Sequence, residues 1–95
     1  MPSNFQKLMK EVYFEKDSDR GIEKTFIWLI EEIGELSRAI KKTDRENLEE
    51  EFADVYAWLC SLANLYNIDL EVVAFKKYPL VCSKCHKNPC ICENS

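Results

Sequence analysis

Apolar residues recur at helical spacing in four segments of the chain, two of them long and two short. Polar residues that suit helix ends separate these segments. Residues 16–19 offer N-caps, Thr43 and Glu46 have the spacing of a capping box, and Asp69 can cap the last segment before Pro79 ends it. The pattern therefore predicts helices over residues 4–15, 20–42, 43–66 and 69–78.

The two long predicted helices each carry an apolar stripe. The stripe of the second helix consists of Phe26, Leu29, Ile30, Ile33, Leu36, Ser37 and Ile40, and that of the third consists of Leu48, Phe52, Val55, Leu59, Leu62, Ala63 and Tyr66. The turn between these helices is very short, so the helices must be antiparallel neighbours. The chain is therefore predicted to be all-α, an antiparallel bundle of two long and two short helices.

Tyr56, Trp58 and Leu65 widen the apolar surface of the third helix beyond its stripe. A chain of 95 residues has too few helices to cover all of this surface. We therefore expect a homo-oligomer that completes the bundle.

Two pairs of acidic residues border the apolar stripes, Glu32 with Glu35 and Glu51 with Asp54. Residues three apart are neighbours on a helix surface. Glu35 and Glu51 each lie about 12 Å along their helices from Thr43, and the other two acids lie three residues farther on each side. All four carboxylates therefore come level, which is costly for folding unless a cation neutralises them. The spacing predicts a metal site, and a solvated acidic face is the alternative.

Carboxylate oxygens are hard ligands that suit Mg²⁺ or Mn²⁺ better than zinc or copper. Magnesium keeps several waters and typically takes substrate phosphates as its remaining ligands. The predicted chemistry is therefore the metal-assisted attack of water on a phosphoanhydride.

The charge and hydropathy of the chain exclude two classes of partner. A net charge of −4 argues against non-specific nucleic-acid binding, which needs a clustered basic surface. The longest apolar runs are far too short to cross a bilayer, and the N-terminus lacks the apolar segment of a signal peptide. We expect a cytoplasmic protein without a membrane partner.

The acids form two motifs that together resemble the signature of a known family. Glu31-Glu32-x-x-Glu35 and Glu51-x-x-Asp54 are similar to the EExxE and ExxD motifs of the MazG-like nucleoside triphosphate pyrophosphohydrolases, in the all-α NTP pyrophosphatase superfamily. The residues around both motifs also fit this family, and the resemblance extends over about residues 21–78.

This resemblance implies hydrolysis of an NTP or dNTP to the monophosphate and pyrophosphate, with Mg²⁺, in a homodimer or a dimer of dimers. It makes Glu32, Glu35, Glu51 and Asp54 the metal ligands. Glu31 and Glu35 become the catalytic residues, and Glu31 either supports the metal ligands or acts as the base for the attacking water.

Three basic residues near the acids, Lys24, Arg38 and Lys42, are candidates for contacts with substrate phosphates. Their alternative role is that of solvated helix charges.

The C-terminal segment is rich in cysteine. Cys82, Cys85, Cys90 and Cys92 provide enough thiolates for a tetrahedral structural Zn²⁺. The spacing of the C-x-C pair is tighter than usual in zinc sites, so His86 is an alternative to one of the cysteine ligands. The alternative to a zinc site is a mobile tail with free thiols or disulfides. Nothing in the family resemblance requires this tail.

We therefore predict two units, a MazG-like domain over residues 1–79 and a Cys-rich zinc-binding tail over residues 80–95. Cys60 stands alone in the third helix and is predicted to be a packing residue.

Two other functions compete with NTP hydrolysis. Phosphoribosyl-ATP pyrophosphohydrolases of histidine biosynthesis share the fold and a similar acid pattern. In a non-enzymatic alternative, the acids form an electrostatic surface and the cysteine tail of a helical interaction module binds a protein or a nucleic acid.

Overall fold

The computed structural model describes residues 4–93 of the chain. This range contains four α-helices and no strand. The helices are α1 (Asn4–Arg20), α2 (Ile22–Lys42), α3 (Arg45–Leu65) and α4 (Leu70–Lys77). The predicted all-α class is confirmed. No helix in this range is apolar over a stretch long enough to cross a membrane, and the cytoplasmic location stays a prediction.

Helix α1 is longer than the sequence predicted, because residues 16–19 do not cap α2. Asp17 turns into the protein, where it is 1% exposed, and its Oδ1 atom accepts a hydrogen bond of 2.7 Å from Arg20 Nη1. This pairing keeps the segment helical up to Arg20. Gly21 then separates the two helices with φ 92°, a backbone conformation that L side chains rarely adopt.

The connection between α2 and α3 consists of Thr43 and Asp44 alone. The predicted N-cap, Thr43, is wrong: it is the left-handed C-cap of α2, with φ 55°. Asp44 is the N-cap, and its side chain accepts a hydrogen bond of 3.3 Å from the backbone N–H of Asn47. The predicted N-cap of α4 is confirmed, since Asp69 accepts a corresponding bond of 3.1 Å from Val72.

Helix α3 packs against both α2 and α1. Trp28 of α2 stacks on Trp58 of α3 with ring centroids 5.8 Å apart. These two residues lie at similar distances from the turn, as expected for helices that run in opposite directions. The buried apolar side chains are Met9, Leu29, Ala39, Cys60 and Ala63, and of these Ala39 and Cys60 are fully buried. Cys60 is therefore a buried packing residue, as predicted.

Most of the predicted apolar stripe of α2 is not covered by other parts of the described chain. Phe26, Ile30, Ile33 and Ile40 are 45–57% exposed, and within the predicted stripe only Leu29 is buried. The buried residues of α2 are Thr25, Leu29 and Ala39. Two of them, Thr25 and Ala39, are small enough to let a neighbouring helix approach closely. Helix α2 therefore has one side that is covered by residues 4–93 and one apolar side that is not.

A buried pair of side-chain amides joins the start of α1 to the end of α3. Gln6 Nε2 of α1 donates to Asn64 Oδ1 of α3 at 3.0 Å and to the carbonyl of Ile68 at 2.7 Å. Its Oε1 atom accepts a bond of 2.9 Å from the backbone N–H of Leu70. One side chain therefore holds the start of α4 against α1, although no residue of α4 is itself fully buried.

Candidate metal and substrate site

The acidic side chains of α2 and α3 converge at the interface between these helices. Oxygen atoms of Glu32, Glu51 and Asp54 all lie within 4.8 Å of one another. Glu32 and Glu51 are half-buried and Asp54 is exposed. Three of the four acids that the sequence placed at one level therefore meet.

The convergence of acids changes the proton affinity of Glu32. Burial raises the pKa of its carboxyl above the ordinary value of 4.5, and the negative charges of Asp54 and Glu51 raise it further. Glu51 Oε1 is buried and has no hydrogen-bond partner within residues 4–93. The acids of this group therefore repel one another, and one of their buried oxygens has no hydrogen-bond donor within the described residues.

The three carboxylates fit a hard divalent cation. Their oxygens are close enough to share one ion, and Glu51 keeps a buried lone pair unused. Mg²⁺ and Mn²⁺ prefer oxygen ligands and accept one or two carboxylates together with water or phosphate. The donor set therefore suits these ions better than zinc.

Glu35 lies outside this group of three and is paired with a basic residue. Its Oε2 atom accepts a hydrogen bond of 2.6 Å from Arg38 Nη2 on the same helix, and both side chains are about half-exposed. The bond with Glu35 and its charge raise the pKa of the Arg38 guanidinium, and the charge of Glu31 adds to this effect. The structure thus places Arg38 among acids, while Glu31 is exposed.

The other two basic candidates lie away from the acids along α2. Lys24 precedes Glu32 by eight residues, about 12 Å along the helix, and Lys42 is the last residue of α2. Both are exposed, and neither forms an ion pair with another residue in the range 4–93. Their predicted role in phosphate binding stays a prediction.

A cleft of about 240 Å³ between α1 and α3 begins beside the acids, and the sequence did not indicate it. Its lining includes Tyr13, Asp17, Arg20, Asp54 and Trp58. The Arg20 guanidinium lies 4.7 Å from the centroid of the Trp58 ring, and Asp17 Oδ2 is buried without a hydrogen-bond partner within the described chain. The only sequence signal for this group was an acid and a base three residues apart at the end of a helix.

The C-terminal cysteines form a second cluster. One sulfur atom from each of Cys82, Cys85, Cys90 and Cys92 lies within 4.8 Å of the other three, and His86 is not a member of the group. The backbone N–H groups of Cys85 and Lys84 lower the pKa of Cys82 to about 6. This cluster could hold a metal ion, and its soft sulfur donors differ in kind from the carboxylates of the first site.

Glu32→Gln is expected to raise the melting temperature of the metal-free protein at pH 7. The pKa of Glu32 is higher in the folded state than in the unfolded state, so its charged form destabilises the fold. This penalty is present above the folded pKa and disappears as the pH falls towards the ordinary value. Thermal melts recorded with a chelator should therefore show a difference in melting temperature between variant and wild type, and this difference should vanish below about pH 4. A difference that persists at that pH, or that also occurs in Glu31→Gln, would contradict this origin.

Comparison with protein families places the two acidic motifs within one matched region. The model of the MazG nucleotide pyrophosphohydrolase domain matches residues 20–86, more than half of the chain. The matched region begins at the end of α1 and extends to His86, past the first two cysteines of the tail. A search of the curated proteins found no match. The family match supports nucleotide pyrophosphohydrolase activity in general terms.

Proposed function

Because the chain belongs to the MazG nucleotide pyrophosphohydrolase family, we propose that it hydrolyses a nucleoside triphosphate, NTP or dNTP, to the monophosphate and pyrophosphate. The observation that supports this activity most directly is the convergence of Glu32, Glu51 and Asp54 from two helices. A cluster of carboxylates at a helix interface is costly unless it serves a cation, and triphosphates are handled as complexes with such ions.

Glu32, Glu51 and Asp54 would hold Mg²⁺, or Mn²⁺ in its place, and Glu35 would complete the ligand set from the exposed side of α2. When bound, the ion neutralises phosphate oxygens and lowers the pKa of a coordinated water. Glu35 lies one helical turn after Glu32, and its side chain is 47% exposed, so it can turn from Arg38 towards the other acids.

Arg38 is the basic residue best placed to bind the substrate phosphates. Its guanidinium already lies among the acids of the site, 2.6 Å from Glu35, and it remains largely exposed. A guanidinium can donate two parallel hydrogen bonds to a phosphate group. Lys24 and Lys42 would act at longer range, and Glu31, exposed beside this group, would accept a proton from the attacking water or support the metal ligands.

A homodimer, or a dimer of dimers, is the proposed functional form, in which a second copy of the chain completes the helical bundle. The exposed stripe Phe26, Ile30, Ile33 and Ile40 supports this assembly, because monomeric proteins rarely expose a continuous apolar patch of this kind. Sedimentation velocity at micromolar concentration should give the mass of at least two chains. The mass of one chain would contradict the proposal.

The activity is tested by incubating the protein with each NTP and dNTP in Mg²⁺ and separating monophosphate and pyrophosphate from diphosphate and phosphate. Monophosphate and pyrophosphate in equal amounts are the expected products. Phosphoribosyl-ATP belongs in the same panel, since hydrolysis of that compound alone would assign the rival substrate. No hydrolysis of any compound, with Mn²⁺ also tried, would leave the non-enzymatic interaction module as the better explanation.

A further inference from the structure

We propose that Cys82, Cys85, Cys90 and Cys92 bind one structural Zn²⁺ ion, and that this ion orders residues 80–93 independently of the helical core. The inference concerns a site separate from the carboxylates and does not depend on the hydrolase activity. Zinc bound by four thiolates leaves no open coordination position, so its role is structural.

The sulfur atoms already have the spacing of a tetrahedral metal site. Cys82 Sγ and Cys92 Sγ are 3.7 Å apart, and Cys85 Sγ and Cys90 Sγ are 4.0 Å apart. Zinc–sulfur bonds of about 2.3 Å give a tetrahedron with sulfur atoms about 3.8 Å apart. A disulfide needs about 2.05 Å, and all four cysteines are free thiols.

Backbone N–H groups support the sulfur atoms. Lys84 N–H donates to Cys82 Sγ at 3.4 Å, Ile91 N–H to Cys85 Sγ at 3.5 Å, and Cys92 N–H to Cys90 Sγ at 3.3 Å. Such donors stabilise negative charge on thiolates and fix the orientation of metal ligands.

Backbone hydrogen bonds close the loop that carries His86. Cys82 N–H donates to the carbonyl of Lys87 at 3.0 Å, and His86 N–H donates to the carbonyl of Cys82 at 2.9 Å. The His86 side chain is exposed, and the four cysteines complete the group without it. Of the two ligand sets that the sequence left open, the structure favours four cysteines.

Little besides a metal holds this segment together. Leu80 is 76% exposed and Ile91 is 67% exposed, and the preceding helix α4 has no fully buried residue. A segment of this length cannot build its own apolar core, and metal binding commonly supplies the missing free energy of folding. The helical core, in contrast, has its own buried residues on α1, α2 and α3.

Cobalt binding tests the ligand set. The reduced full-length chain is freed of metal and titrated with Co²⁺ in the absence of oxygen and nucleotide. One equivalent should produce the strong visible absorption of tetrahedral thiolate-bound cobalt, and Zn²⁺ should displace it. Cys82→Ser and Cys90→Ser should weaken binding at least tenfold, whereas His86→Ala and Cys60→Ser should leave it unchanged. Absence of the absorption in the reduced wild type would overturn the site, and its loss in His86→Ala would overturn the four-cysteine ligand set.

Amide hydrogen exchange tests what the ion does for the fold. Removal of zinc should accelerate exchange in residues 80–93 and leave the exchange rates of α2 and α3 unchanged. Unchanged rates in the tail would overturn the structural role of the ion. Faster exchange throughout the helices would overturn the independence of the tail.

Discussion

Asp54→Asn is expected to lower kcat for nucleotide hydrolysis by roughly 10²–10³-fold, as the loss of one preorganised hydrogen-bonding group from an active site does. The change removes one of three converging carboxylates without altering the size of the side chain. Asp54 is exposed, so its amide remains solvated and the helices should stay folded. Steady-state kinetics at saturating Mg²⁺, with circular dichroism as the check on folding, measures both effects.

Glu50→Gln is the matched control, because Glu50 lies on the same helix and is exposed outside the carboxylate group. It removes the same charge from α3 and should retain kcat within about twofold. Equal losses in the two variants would show that the net charge of α3, and not the converging group, accounts for the effect. Glu35→Gln separates the two roles of Glu35. If Glu35 is a metal ligand, this variant should lose activity as Asp54→Asn does. If Glu35 only pairs with Arg38, the variant should stay active.

Arg20→Ala is expected to lower the free energy of unfolding by about 3 kcal/mol, the lower end of the cost of leaving one member of a buried ion pair without its partner, because Arg20 itself is 21% exposed. The Asp17 side chain is only 2% exposed, and one of its oxygens already lacks a hydrogen-bond partner within the described residues. The same substitution removes the guanidinium from the face of Trp58 and the hydrogen bond of 3.2 Å to Thr25. Urea denaturation followed by circular dichroism measures the loss.

An exposed ion pair in the same protein provides the control for this experiment. Arg45 lies 3.0 Å from Glu49, but the two side chains are 84% and 65% exposed. Arg45→Ala should therefore cost less than about 1 kcal/mol. Asp17→Asn combined with Arg20→Ala should recover part of the loss, because the uncompensated charge is then absent. A loss in Arg20→Ala no larger than that in Arg45→Ala would contradict the role assigned to the buried pair.

Local chemistry made most helix ends predictable. Asp69 caps α4 as expected, because a side-chain oxygen beside free N–H groups needs no tertiary contact to form its bond. The same rule failed by one residue at Thr43, where the sequence offered two adjacent capping residues and the structure uses Asp44. The prediction that the acids lie at one level came from counting residues on both sides of a short turn. The structure does bring Glu32 close to Asp54.

Tertiary choices were not predictable from periodicity alone. The predicted stripe of α2 that includes Ile30 is mostly exposed, so its hydrophobicity does not show which residues pack inside the chain. Close approach of the helices instead selects small residues such as Thr25 and Ala39. The bonds of Gln6 join residues of different helices, and no local pattern marks such partners. Asp17 and Arg20 lie three apart within α1, but that spacing does not show that Asp17 is buried.

The two-residue link at positions 43–44 also limits how this protein can vary in length. If one inserted residue extends α2 or α3 at this link, the acids beyond it turn by about 100° and shift by about 1.5 Å relative to the other helix. Both helices could still form, yet Glu51 and Asp54 would no longer oppose Glu32. Insertions at the longer link between α3 and α4 carry no such consequence for the acids. Natural length changes compatible with this carboxylate group are therefore expected outside positions 43–44.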